Sequence, residues 1–275
     1  MKLQYRNQRN AEITANYWKK PLSQFECWKV ENKTDDEEEI LLYDIIGWPF
    51  NDASSIVNYL RSIKSKNVRV KINTPGGDVF DGVALYTAML EHEGTITTQI
   101  DSLAASIGSI IVLGGKKRQA HKNAMMMIHD PWSCMCGNQY DFSEMSELLG
   151  KISNNLIDIY QDNSSIGKRD LKQMMKDETW FTAKEMKDNK LINDILDKDG
   201  AKAKFDLSIF NNIPENLTDN QDKKPTTREI EKALRDVGLS QIEAKAFIAG
   251  RLKVEDIDKT VIQNELKKTI NILRR

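Results

Sequence analysis

Residues 71–115 read KINTPGGDVFDGVALYTAMLEHEGTITTQIDSLAASIGSIIVLGG, and the order of elements in this stretch decides the fold. Val68, Val70 and Ile72 alternate into Asn73-Thr74-Pro75-Gly76-Gly77, a strand entering a glycine turn. Val79, Val83, Tyr86 and Leu90 then recur at helical spacing, and Thr95–Ile100 reads as the next strand. Asp101–Gly108 (DSLAASIG) turns into a short apolar helix. Small residues packed round Ser106 at a strand-to-helix junction make a candidate nucleophile elbow, where the hydroxyl is presented at a helix N-terminus.

Working outward, Ile40–Gly47 (ILLYDIIG) is nearly continuous apolar sequence, as a strand buried on both faces requires. Asn51 or Asp52 can cap a helix carrying Ile56, Leu60 and Ile63. Phe25–Glu31 is a further candidate strand, and the acidic run Asp35–Glu39 reads as a solvated hairpin or loop tip. Beyond the serine, Lys117–Asn123 reads as a polar strand and Ala124–His129 as a buried one stopped by Pro131. Met145, Leu148, Leu149, Ile152, Leu156 and Ile159 share one face of a long helix, wide enough to meet the domain and a partner subunit. A short helical pattern spans Ser165–Met175, a capping box joins Thr182 to Glu185, and Leu191–Leu196 is a last candidate strand. Strands alternating with helices at this spacing argue for βαβ units and a mainly parallel sheet.

The 275 residues divide into an N-terminal arm (1–24), an α/β domain (25–200), a polar Asn-rich linker (201–225) and a small helical appendage (226–275). Within the last, Thr226/Glu229 and Ser240/Glu243 are capping boxes, and Glu255–Leu273 reads as a third helix. A net charge of −1 gives no bulk attraction to nucleic acid. The longest apolar run, Leu103–Gly115, is too short to span a bilayer, and the first twenty residues lack the apolar core of a secretory signal. Three cysteines (Cys27, Cys134, Cys136) fit a reducing compartment and, with three histidines, argue against a zinc site. Gly76-Gly77 lacks the glycine spacing and Lys-Ser/Thr of a P-loop, and no cofactor or metal is expected.

The chemistry-bearing residues each admit a plain reading. A serine at a helix start is commonly just its cap. His129 ends a buried strand, at the edge where active sites of open α/β sheets gather, yet it could equally be a core or surface histidine. His92 and His121 read as solvated surface residues, and Cys134 or Cys136 would be a nucleophile without an elbow.

Taken together, these segments resemble the Clp protease proteolytic subunit family, serine peptidases of the ClpP/crotonase fold. The family's N-S-P-G-G is Asn73-Thr74-Pro75-Gly76-Gly77 here, its A-A-S-M-G is Ala104-Ala105-Ser106-Ile107-Gly108, and its M-I-H-Q-P is Met127-Ile128-His129-Asp130-Pro131. Order and spacing match over roughly Phe25–Leu196. The resemblance implies an α/β spiral of repeated ββα units with a helical C-terminal appendage. It implies Ser106 as nucleophile, His129 as base, and the N–H groups of Gly77 and Ile107 as the oxyanion hole. The third member would be Glu178, found by counting back from Thr182-Ala183, with Asp177 adjacent; cellular members usually carry Asp there. Lys190 stands where the family has a turn glycine, which predicts a shifted turn before the last strand.

Met126–His129, Glu178-Thr179-Trp180 and the tail segment ALRDVGLSQIEAKAFIAG look more like the ClpP-like proteases of tailed phages. Those trim scaffold or capsid protein in the prohead. The resemblance therefore implies a cytoplasmic or prohead-enclosed serine endopeptidase assembled as a homo-oligomeric ring, single or stacked. Its expected substrates are scaffold or capsid proteins; nucleic acid and membrane are not expected partners, and an AAA+ unfoldase is a lesser alternative. The rival readings are a cellular ClpP-like subunit, a crotonase-type acyl-CoA enzyme and an inert assembly scaffold.

Overall fold

The computed structural model describes residues 26–33, 37–47, 50–63, 67–198, 207, 210–214, 231, 234–235 and 240–248. The chain divides into two compact units, Met1–Ile213 and Pro214–Arg275. In the first, the strands are β1 (Lys29–Lys33), β2 (Glu37–Tyr43), β3 (Asn67–Thr74), β4 (Ile96–Ala105), β5 (Lys117–His121), β6 (Met125–Ile128), β7 (Thr179–Thr182) and β8 (Asp194–Leu196). The helices are α1 (Ala53–Ser62), α2 (Val79–Leu90), α3 (Ile107–Leu113), α4 (Gln139–Asp162), α5 (Lys168–Lys176) and α6 (Ala183–Asp188).

The strands form one sheet in the order β1-β2-β3-β4-β5-β8. β2, β3, β4, β5 and β8 run parallel, as crossover helices require, and β1 joins antiparallel at the edge. The strand β4 is buried at every residue and divides one edge between two neighbours. Its first half pairs with β5 (Thr97↔Lys117 to Ile100↔Ala120) and its second half with β6 (Leu103↔Met125 to Ala105↔Met127). That fork is the spiral turn of the fold, and it delivers the end of β4 beside the end of β6.

The helix α3 is buried along its whole length, with Ile110, Ile111 and Val112 at the centre of the core. Leu85 and Met89 of α2, Ile56 and Leu60 of α1, and Leu156, Ile157 and Tyr160 of α4 close over the same core. Each large side chain so buried contributes about 1.5–3 kcal/mol, so the core anchors the elements that frame the end of β4.

Several expectations need correction. The strand preceding Ser106 runs on to Ala105, through residues expected to turn, because Ala104 and Ala105 pair with Met126 and Met127. Glu37–Glu39 are the start of β2, not a loop tip: Glu38 is buried and accepts the Tyr59 hydroxyl, while Glu39 meets Lys71 at 3.0 Å across the β2–β3 pair. His92 is only 6% exposed, and His121 is half-buried against the buried Asp101 and Gln99, so neither is a freely solvated surface residue. Lys190 takes the left-handed conformation itself (φ 59°), so the turn before β8 keeps a residue at positive φ without glycine.

The Thr182/Glu185 box is present in full. In the second unit, α7 (Gln241–Ile248) opens with the expected Ser240/Glu243 box. The N-terminal arm, the Thr226/Glu229 box and the third tail helix lie outside the described residues. No helix among the described residues is long and apolar enough to cross a membrane.

Candidate active site

Two strand registers assemble the site. In the parallel β4–β6 pair, Ala105 lies opposite Met127, and the Ser106 N–H donates to the Met127 carbonyl at 2.9 Å. Ser106 and His129 therefore leave adjacent strand ends together. In the antiparallel β6–β7 pair, Ile128 lies opposite Thr179. One step further along the same register, His129 faces Glu178.

Ser106 adopts φ 55° and ψ −129°, a conformation costly for any residue with a Cβ. Such strain persists only where the surroundings over-determine it. Here they do: the Ser106 carbonyl accepts from the Ser109 N–H (3.0 Å) and the Ser109 hydroxyl (2.5 Å), and that hydroxyl also meets the buried Tyr160 hydroxyl at 2.6 Å. The Ser106 side chain makes no capping bond to α3. Its Oγ instead lies 2.8 Å from His129 Nε2. The helix-cap alternative is thus not realised; the hydroxyl points out of the elbow at an imidazole.

Gly76 lines the other side of the serine and Gly77 follows it against Ile46, at φ 108° and 151°. A Cβ on Gly76 would lie 2.6 Å from Ser106 Cβ, so only glycine lets the turn come this close. The bridge to Ile46 uses the Ile46 N–H (to Gly76 O, 2.9 Å) and the Asp78 N–H (to Ile46 O, 3.0 Å), which leaves the Gly77 N–H out of it. Ile107 is the first residue of α3, and a first-turn N–H has no acceptor within its own helix. The chain thus holds two amide donors at the positions the resemblance names for an oxyanion.

Glu178 is 7% exposed and sits at φ 53°. Its carboxylate does not hydrogen-bond His129; it accepts from the Asn212 N–H (2.7 Å), the Asn211 N–H (3.0 Å) and the Asn211 side-chain amide (3.4 Å). Asp177, the neighbouring candidate, is exposed and accepts from Gln173 at 2.8 Å. Of the two acids, Glu178 is the one whose charge reaches His129. Burial pushes the His129 pKa below the ordinary imidazole value, and the negative charges of Glu178 and Asp130 oppose that shift without cancelling it.

With this geometry in view, similarity to known proteins becomes decisive. The profile of the Clp protease family matches residues 24–199, well over half of the chain. The chain belongs to the Clp protease family. Its mixed α/β sheet is the ClpP-type fold, and it is a peptidase by family. A protein of Deinococcus radiodurans named ATP-dependent Clp protease proteolytic subunit is 29% identical over 152 residues, covering 53% of this chain and 74% of that protein. One of the same name from Bacteroides fragilis is 29% identical over 143 residues, 51% of this chain and 69% of its own length. ATP-dependent Clp protease proteolytic subunit 1 of Salinibacter ruber is 27% identical over 169 residues, 58% and 71% of the two chains.

Five residues at this Clp-family site carry no signal in the sequence that marks them as part of it. Ser109 and Tyr160 looked like ordinary helix residues, since nothing local reveals that their hydroxyls meet. Phe210, Asn211 and the adjacent Asn212 lie in the stretch read as linker, past the end of the family match. Leu207 and Phe210, both buried, lie three residues apart in that stretch, and its apolar residues are the hint the sequence offers. Cys134 and Cys136 are exposed on the loop before α4 and take no part.

Proposed function

We propose that this Clp-family chain is a serine endopeptidase acting through Ser106, His129 and Glu178. The observation that carries the reading is the 2.8 Å contact between Ser106 Oγ and His129 Nε2 at a strained elbow. His129 Nε2 takes the Ser106 proton as Oγ attacks the peptide carbonyl, forming a C–O bond and a tetrahedral oxyanion. The N–H groups of Gly77 and Ile107 receive that oxyanion. The imidazolium passes its proton to the leaving amine as the C–N bond breaks, and an acyl ester remains on Ser106. Water, deprotonated by His129, then releases the acid. Glu178 stabilises the imidazolium from behind.

The decisive test is a fluorophosphonate probe followed by peptide mapping. The expected result is a single adduct on Ser106, absent from heat-denatured protein. Label that bypasses Ser106, or none at all, overturns the reading; a crotonase-type enzyme, which works without an activated serine, would give none.

The pH dependence follows from the burial of His129. Only the neutral imidazole can accept the serine proton, and burial keeps it neutral to lower pH than in water. Peptidase activity is therefore expected on a plateau at neutral pH, falling as pH drops through an apparent value below about 6.5. This sits lower than the fall through roughly pH 6–7 that an unperturbed histidine gives. A kcat/KM profile with its acid limb above 6.5 would contradict it.

The working form we propose is a homo-oligomeric ring. Tyr140, Phe142 and Leu148 on α4, with Phe80 and Leu90 on α2, leave large apolar side chains exposed. The domain boundaries read from sequence, with a peptidase body at 25–200 and a helical module at 226–275, stand as part of this proposal.

For substrates we propose scaffold or capsid proteins during phage head maturation, without an ATPase partner and in the host cytoplasm or prohead. The support is the likeness of Met126–His129, Glu178–Trp180 and the tail to phage ClpP-like proteases. The names of the similar bacterial proteins favour a second reading, a subunit of an ATP-dependent cellular protease. Portal and capsid genes flanking this one would decide for the first; a neighbouring unfoldase gene would decide for the second.

A further inference from the structure

The donors that hold Glu178 come from outside the family match. That match ends at residue 199, whereas Phe210–Asn212 lie beyond it but within the same compact unit, Met1–Ile213. We infer that Phe210, Asn211 and Asn212 form a strap that positions the Glu178 carboxylate behind His129 and shields the imidazole from water. The inference rests on Ser106 and His129 acting as the pair proposed above.

The first observation is the set of hydrogen bonds. Both carboxylate oxygens of Glu178 accept from the strap: Oε1 from the Asn212 N–H at 2.7 Å, and Oε2 from the Asn211 N–H at 3.0 Å and its amide at 3.4 Å. The Asn212 amide also donates to the Asp177 carbonyl at 2.7 Å, fastening the strap to the backbone just before Glu178. A buried carboxylate stays ionised only where donors replace its lost water. Among the described residues, every hydrogen bond shown for this carboxylate comes from the strap.

The second observation is aromatic. The Phe210 ring is 7% exposed and meets both His129 (centroids 5.9 Å apart, planes at 83°) and Trp180 (5.8 Å, 83°) edge-on. It is thus wedged between the imidazole and Trp180 of β7, the strand that Glu178 immediately precedes. The other charged groups facing His129 are Asp130, beside it, and Lys176, across a cavity of about 420 Å3.

A strap could also inhibit, by occupying the acid that His129 needs. Counting acceptor sites decides against this. A carboxylate offers about four lone-pair sites, and the strap uses three, which leaves one for the imidazole N–H. Glutamate also has one rotatable bond more than the aspartate usual in cellular members, so it needs an external restraint that aspartate does not. The strap supplies that restraint through rigid backbone donors.

The test uses full-length chains carrying Asn212→Pro, which deletes the donor to Oε1, and Phe210→Ala, with Phe210→Leu as its conservative partner. Hydrolysis of a fluorogenic peptide, fluorophosphonate labelling and thermal unfolding are measured on each. Asn212→Pro is expected to lower kcat on the order of 10- to 100-fold, the range typical for loss of an orienting partner, with KM within about twofold. Phe210→Ala is expected to lower kcat and raise the acid limb of the pH profile as water reaches His129, and Phe210→Leu to restore most of both. Should Asn212→Pro not fold, Asn212→Asp, which sets a negative charge against Glu178, is expected to give the same drop. Folded variants with wild-type kcat and an unmoved acid limb overturn the strap's role, as does any rise in kcat. Wild-type protein that neither labels nor hydrolyses would instead overturn the peptidase reading itself.

Discussion

Ser106→Ala is expected to lower kcat by at least about 10⁴-fold, with the fold intact. The size follows from the site's division of labour. The hydroxyl is the group proposed to form the acyl bond, and among the described residues it is the one side chain hydrogen-bonded to His129 Nε2, at 2.8 Å. What survives is binding and the two amide donors, which alone leave a residual rate far below the intact array. Stability should barely change. Ser106 Oγ caps nothing, so α3 keeps all its hydrogen bonds, and alanine at φ 55° is no more strained than serine. The loss is the one hydrogen bond to His129, about 1 kcal/mol, equivalent to a fall of about 2–4 °C in Tm for a chain of this size. Peptide hydrolysis and a melting curve on the same preparation check both halves. A variant retaining a tenth of wild-type turnover would remove Ser106 from the mechanism, and one that fails to fold would make it a structural residue.

Much of this site is legible in the chain because its parts are local. The elbow needs small residues round a serine, and Ala104, Ala105 and Gly108 spell that out. The glycine turn needs positive φ, and Gly76-Gly77 announces it. The box Thr182/Glu185 fixes where α6 starts, and hence where β7 and Glu178 fall. What the chain hides is long-range or two-faced. Glu37–Glu39 look solvated until Lys71 and Tyr59 are folded against them. His92, flanked by two glutamates, gives no local sign of burial. The fork of β4 between β5 and β6 cannot be read from one strand's composition, since nothing in ITTQIDSLAA says that Thr97–Ile100 and Leu103–Ala105 meet different partners. Phe210–Asn212 are hidden most thoroughly. An Asn-rich, Pro-punctuated segment has the composition of a linker, and two backbone N–H groups, which carry the contact to Glu178, leave no mark in a sequence.

Gly77→Ala is the substitution expected to damage both fold and chemistry. A Cβ at Gly77 would lie 2.0 Å from the Ile46 carbonyl oxygen and 2.8 Å from the Ile46 carbonyl carbon and nitrogen. None of these atoms can yield easily. Ile46 is fully buried, its N–H is committed to Gly76 O and its carbonyl to the Asp78 N–H. The residue also sits at φ 151°, where a side chain is strained whatever the space. Backbone strain and a displaced bridge together make a destabilisation of at least about 3 kcal/mol, a fall of roughly 6–12 °C in Tm. Any protein that does fold must move the Gly77 N–H, and removing one oxyanion donor typically costs about 10²–10³ in kcat. Gly150→Ala is the matched comparison. That glycine lies inside α4 with nothing within 4 Å of its Cβ, so alanine there should stabilise by up to about 1 kcal/mol through helix propensity. Thermal melts of the two variants should therefore move in opposite directions, and only the first should lose activity. A Gly77→Ala protein with wild-type Tm and turnover would mean that the turn does not approach Ile46 as described, and would withdraw the Gly77 amide from the oxyanion hole.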